Sequence, residues 1–276
     1  MGPTMLLRVI VFALLILPVP TGMILSGKKV RIGVFVAAEN QVSIDAISHD
    51  KWDQLLKDFV DDKGEVHYKD WSTSEAGVAM LDQYIDELSS ASLTKYASKE
   101  GQLAFWINAY NAVTIKGILR EYPTTSIRNH TAKFGGYNIW KDLMLRVGGG
   151  EYSLDDIEHQ LLRPMGEPRI HFAIVCASVS CPKLLNEAFD KKKLDSQLSK
   201  NATDFFAEAK NFSYDAKRQK FVMSSILSWF GKDFGRNQEE VLRAISPYLP
   251  ESARAIANQN SVSVSYLQYN WNLNGH

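Results

Sequence analysis

Two cysteines in 276 residues are too few for a disulfide scaffold, and neither sign of charge dominates, because 31 Lys and Arg offset 31 Asp and Glu. A neutral chain lacks the broad basic field that nucleic acid or an anionic membrane surface attracts, so no nucleic-acid partner is expected. Sustained heptads and repeats of 20 to 50 residues are missing, which excludes a coiled coil and a solenoid. Also missing are a phosphate loop, a dinucleotide fingerprint, a Gly-x-Ser-x-Gly elbow and a His-Glu-x-x-His pair, so no cofactor and no metal are expected. What the chain has is hydrophobic content, 45% of it, enough to bury a sizeable core.

Arg8 precedes an uncharged run from Val9 to Gly27, the layout of a secretory signal. Lys28, Lys29 and Arg31 are followed by a second apolar stretch, Ile32 to Ala38, so the segment also reads as a signal anchor; Pro18 and Pro20 argue against a clean spanning helix. Val36-Ala37-Ala38 fits a cleavage site, and Met23 fits the start of a shorter signal. Residues 1–38 are therefore expected to direct the chain out of the cell or into the periplasm, with the N-terminal segment as its only contact with a membrane. The fold is expected over 39–276.

Trp52, Leu55, Leu56, Phe59 and Val60 recur at helical spacing, as do Val78, Leu81, Ile85 and Leu88. Leu103 to Arg120 predicts a third helix, apolar on most sides and hence central. Ser153 and Asp156 form a capping box for a helix ended by Pro164. Arg169 to Cys176 predicts a buried strand, followed by a helix from Pro182, and then a helix over Leu194 to Ala209. Phe212 to Met223 predicts a hairpin, Ser225 to Phe234 and Glu239 to Leu249 helices, and Val262 to Tyr266 a final strand. The fold class is α+β: a helix-rich single domain with a small central sheet and a peripheral hairpin.

Six motifs occur in order between Trp52 and the C-terminus: Phe105-Trp-Ile-Asn-Ala-Tyr-Asn-Ala112, Tyr122-Pro123 with Ser126-Ile127, Ser153-Leu-Asp-Asp-Ile-Glu-His159, Arg169 to Ser178, Ser180-Cys-Pro182 and Tyr269-Asn-Trp-Asn-Leu-Asn274. On these the chain resembles the DUF547 family, largely exported bacterial proteins with plant and animal relatives and no settled activity. Asn270 stands where that pattern leads one to expect an acidic residue. The resemblance implies one exported domain and supplies no reaction.

Chemistry concentrates between residues 158 and 182. Cys181 directly before Pro182 is expected at a helix N-terminus, where the helix dipole stabilises a thiolate. Cys176 ends the predicted strand, and His171 and His159 are the nearest bases in sequence. Glu158 shares the apolar stripe of Leu154, Ile157 and Leu161, so its carboxyl is aimed inward. Asn108 and Asn111 share one face of the central helix, as orienting groups or as amides that pin loop backbone. The sharpest reading is a thiol-dependent hydrolase or acyl transferase, with Cys181 as nucleophile, His171 as base, and Glu158 with the two amides orienting the site. The main alternative is a non-catalytic envelope protein that binds a small molecule or a protein partner, with Cys176 and Cys181 paired as a structural disulfide. Buried, unreactive thiols and a zinc site built on His159, His171 and both cysteines stay open, though the spacing departs from common zinc patterns.

Overall fold

The computed structural model describes residues 29–132, 136–215, 217–257 and 262–276. Residues 1–28, the larger part of the expected targeting segment, lie outside the described residues. The protein is helix-rich α+β, 53% helix and 14% strand, so its helices have to bury their apolar faces mainly against one another. Helices α2 (Tyr68–Thr73) and α3 (Glu75–Ser89) pack against α4 (Lys99–Glu121), and α1 (Asp50–Phe59) packs on α3 and α2. Short helices α5 (Ile139–Asp142) and α6 (Leu154–Asp156) follow, then α7 (Leu194–Ala207), α8 (Ser225–Phe234), α9 (Gln238–Ile245) and α10 (Glu251–Ala257).

The near-uniform apolarity of α4 explains its place at the centre, since a helix without a polar face has to be covered on all sides. Its side chains from Leu103 to Ile115 are all buried. Ser98 caps it by accepting a hydrogen bond from the Gly101 amide, and Asp45 accepts from both the amide and the hydroxyl of Ser98.

Strand β1 (Val30–Ile32) runs parallel to β4 (Leu143–Val147), which turns through Gly148 and Gly149 into antiparallel β5 (Gly150–Tyr152). Both glycines have positive φ, +59° and +81°, the backbone a tight hairpin turn demands. Strands β2 (Val42–Ser43) and β3 (Ala91–Ser92) form a minimal parallel pair. Strands β6 (Phe212–Asp215) and β7 (Lys220–Met223) form the expected hairpin, and β8 (Ser263–Tyr266) adds parallel to β7. Strand β1, which pairs with β4, lies before the expected boundary at Glu39. Cleavage after Ala38 would remove an edge strand.

Two expectations fail at the cysteine segment. Arg169 to Cys176 is no strand: Pro168–Phe172 is a 3-10 helix, and the chain beyond it is irregular. Its β-branched and aromatic residues reported burial, which Ile170, Phe172 and Val175 do have. Several of its backbone groups bond buried side-chain amides, however, and among the described residues no strand pairs with it. Nor does a helix follow Pro182; the chain from 182 to 193 is irregular until α7 begins at Leu194. That stretch is held by Asn108, Asp53 and Gln197, which bind the backbone at residues 188 to 190.

The apolar interior forms two clusters. The larger surrounds α4, and the smaller, rich in phenylalanine, gathers Phe172, Phe205, Phe206, Phe212 and Phe221 with α8 and α9. His171 sits in sequence directly before Phe172, where the two clusters meet.

Candidate functional site

A cavity of about 150 Å³ opens between the clusters, with Tyr110, Glu158, Cys176 and Cys181 on one side and Ile226, Trp229 and Phe230 on the other. His171, Trp140, Tyr269 and Trp271 complete the wall. Glu158, His171 and Cys181, singled out in the sequence for their chemistry, thus border one space.

Each group is placed by a local device. The capping box at Ser153 starts α6 as expected, but the chain then widens into a π-helix, Ile157–Leu162, and tightens to a 3-10 turn at Arg163–Met165. Pro164 therefore sits inside the helical run. The wider turn shifts the apolar stripe by one residue, leaving Leu162 fully buried and Leu161 only partly so. It leaves Glu158 on the cavity wall, 3.4 Å from the Tyr110 hydroxyl that donates to it. Burial raises the Glu158 pKa above the usual carboxylate range, against the pull of His159, Tyr110 and Arg163. His159 lies on the outer side of this turn, beside Asp155 and Arg163, and does not line the cavity.

Helix α8 brings Ile226, Trp229, Phe230 and Asp233 to one face by their helical spacing. Asp233 accepts two bonds from Arg163, at 2.6 and 2.8 Å, and stands 2.8 Å from Nε2 of His171. Phe230 stacks on the imidazole with ring centroids 4.2 Å apart. Burial lowers the His171 pKa below its ordinary value, outweighing the attraction of Asp233. The ring is therefore neutral near pH 7, with Nδ1 as the nitrogen not engaged by Asp233. Among the described residues His171 makes no hydrogen bond to either sulfur, so the expected thiol–imidazole pair is not formed.

The sulfurs of Cys176 and Cys181 lie 2.7 Å apart, and both cysteines are free. Ala177, at φ +53°, bends the chain between them, an uncommon setting for a residue with a Cβ. The amide of Cys176 donates to Cys181 Sγ at 2.9 Å, while the hydroxyls of Ser178 and Tyr269 each stand 3.1 Å from Cys176 Sγ. Burial raises the Cys181 pKa, but the donors Cys176, Tyr269 and Ser178 prevail and bring it down to about 7. Cys176 moves the opposite way, well above the ordinary thiol, first because its proton is shared with Cys181 and then because it is buried. Cys181 is thus the more acidic thiol of the pair, and no helix begins at Pro182 to account for it. The loop and the tail supply the donors.

That tail is the segment Tyr269 to Asn274, which runs across the cysteine loop. Its backbone bonds those of Ala177, Val179 and Ser180, and Ser126 donates to the Trp271 carbonyl. Tyr269 is both a hydrogen-bond partner of the Cys176 sulfur and part of the cavity wall. Asn270 lies outside the cavity, its amide donating to the Ser180 hydroxyl.

Asn108 and Asn111 do not line the cavity, so neither orients a bound molecule directly. Both are fully buried and pin backbone: Asn108 exchanges two hydrogen bonds with Phe189, and Asn111 bonds the Ala173 carbonyl and the Val175 amide. Asn111 is a positioning residue, because its clamp lies between His171 and Cys176. Among the described residues no group of three or more His, Cys, Asp or Glu could hold a metal ion. No described helix is long and apolar enough to cross a membrane.

Reading the sequence missed Asp233, Tyr110 and Trp229. The spacing of Ser225 to Phe234 announced an amphipathic helix, and an acid one turn beyond the adjacent aromatics Trp229 and Phe230 was the signal available for Asp233 and Trp229. No curated protein and no solved structure matches the chain. The model of DUF547, a family described as protein of unknown function, matches residues 94–206, a stretch that holds Tyr110, Glu158, His171, Cys176 and Cys181. Over that stretch the chain is similar to the DUF547 family.

Proposed function

We propose that the cavity is a site of thiol chemistry, in which Cys181 attacks an electrophilic carbonyl carbon in acyl transfer or hydrolysis. The observation that carries this reading is the convergence of a lowered thiol, a raised carboxyl and a neutral imidazole on one aromatic-lined space. The Cys181 thiolate forms a thioester with the acyl carbon, and the leaving group departs with the proton of Glu158. Water or another acceptor then attacks the thioester, giving its proton to His171, whose charged form Asp233 stabilises, and Cys181 leaves as thiolate. Glu158 regains its proton from solvent as His171 loses one.

The test is to follow labelling by iodoacetamide together with turnover of small aryl esters and thioesters. Wild-type protein is expected to be alkylated at Cys181 and to turn over an ester or thioester, while Cys181→Ala keeps the fold and loses both. A reduced, folded wild-type protein whose Cys181 resists the reagent would overturn the reading. The short separation of the sulfurs favours a second reading, a permanent disulfide in a non-catalytic ligand-binding protein. Counting thiols on denatured, unreduced protein separates the two, since none remain if the bridge is permanent. The proposed setting is outside the cytoplasm, with a small-molecule ligand and a membrane contact only through the N-terminal segment. N-terminal sequencing of the mature chain checks the export step.

A further inference from the structure

Acyl transfer uses one sulfur, and the structure holds two in contact. We infer that Cys176 and Cys181 are an exchanging dithiol, which reduces a small disulfide bearing apolar or aromatic groups and closes a Cys176–Cys181 bridge in doing so. The inference rests on the reading of Cys181 as the reactive thiol and goes beyond it by giving Cys176 a task.

Three features of the loop carry it. With the sulfurs 2.7 Å apart, the second is already in place to attack the first once a mixed disulfide has formed. The two are also inequivalent: the Cys176 amide donates to Cys181, whereas Cys176 keeps its proton and presents it to its neighbour. Finally, both border the same cavity, and its other walls set the kind of molecule admitted. Trp140, Trp229, Phe230 and Trp271 offer flat apolar faces, and Trp229 is 49% exposed at the entrance. A volume of about 150 Å³ takes one ring or a short aliphatic chain, not a peptide.

The step balances as follows. The Cys181 thiolate attacks one sulfur of R–S–S–R, the S–S bond breaks, RS⁻ leaves, and Cys181 carries S–R. Glu158, left as a carboxylate once its proton has gone to the first RS⁻, takes the proton of Cys176, which attacks Cys181 Sγ, forming the protein disulfide and expelling the second RS⁻. The two thiolates are protonated by Glu158 and by solvent. Two electrons pass from the protein to the substrate, and a small dithiol such as dithiothreitol restores the starting state.

Reduced full-length protein mixed with 4,4′-dithiodipyridine provides the test. Wild type is expected to release two thiopyridones per chain and to end lighter by two hydrogen atoms, with no adduct. Cys176→Ser should release one and keep one adduct on Cys181, and Cys181→Ser should react about tenfold more slowly or less. The bridge in wild type should reopen with dithiothreitol. An adduct retained on each cysteine of wild type overturns the exchange, and so does a bridge that dithiothreitol fails to open. If Cys181 is still alkylated by iodoacetamide in either case, the nucleophile reading survives and only the exchange falls. The apolar substrate class has its own check: normalised to a free cysteine, the aromatic disulfide should outpace glutathione disulfide by about tenfold, one apolar ring's worth of binding. Equal normalised rates would overturn it.

Discussion

Replacing Tyr269 by phenylalanine deletes one hydroxyl and keeps the aromatic wall. That hydroxyl stands 3.1 Å from Cys176 Sγ and 2.9 Å from Ser178 Oγ, and it is among the donors that bring Cys181 down to about 7. A hydrogen bond to a charged group is worth about 1.5 to 3 kcal/mol, and Ser178 remains to compensate in part, so the low end applies. About 1.4 kcal/mol corresponds to a tenfold change in acidity, which moves the Cys181 midpoint from about 7 to about 8. A more basic thiolate is also roughly threefold more nucleophilic, given a Brønsted slope of about 0.4 to 0.5. Tyr269→Phe should therefore be alkylated about threefold more slowly than wild type at about pH 6 and about threefold faster at about pH 9.5, so the two rate profiles cross. Iodoacetamide rates at Cys181, followed by mass spectrometry across that range, check this. Superimposed profiles, or a midpoint displaced downward, would refute the account of how the thiolate is made.

Asn111→Ala removes both bonds that hold the segment 173–175 and leaves a buried amide and a buried carbonyl unpaired, so it should destabilise the fold by roughly 2 to 5 kcal/mol in urea titrations. If the loss stays near zero, the segment is held by its apolar packing and the clamp is incidental. Burial lowers the His49 pKa from 6.5 to about 4, and its Nδ1 faces the buried Tyr84 hydroxyl at 2.7 Å. A base held neutral by the fold contributes stability that is complete above about pH 6.5 and is lost as pH falls toward 4, here up to about 3 kcal/mol. His49→Gln should flatten that part of the stability profile; an unchanged slope between about pH 6.5 and 4 would assign the loss to other groups.

Helices were legible wherever apolar spacing was strong: α1, α3, α4, α7 and α8 lie where the periodicity puts them, and the Ser153 cap is present with both of its bonds. The segment from Arg169 to Pro182 was misread because a short apolar run reports burial without naming the partner of its backbone. Here the partners are Asn111 and Asn201, which lie 62 and 29 residues from the groups they bind, and local sequence carries no trace of such pairs. The roles of Tyr269 and Asp233 were hidden for the same reason. Each acts on a residue more than 60 positions away, so only the folded chain brings them to the sulfur and the imidazole.

The cavity is lined from both apolar clusters, and this has a mechanical consequence. A molecule seated there grips α8 with one flank and α4 with the other, like mortar between two courses of brick. Whatever the chemistry proves to be, occupancy should make the phenylalanine-rich half melt in step with the rest, because separating the halves would first require expelling the guest.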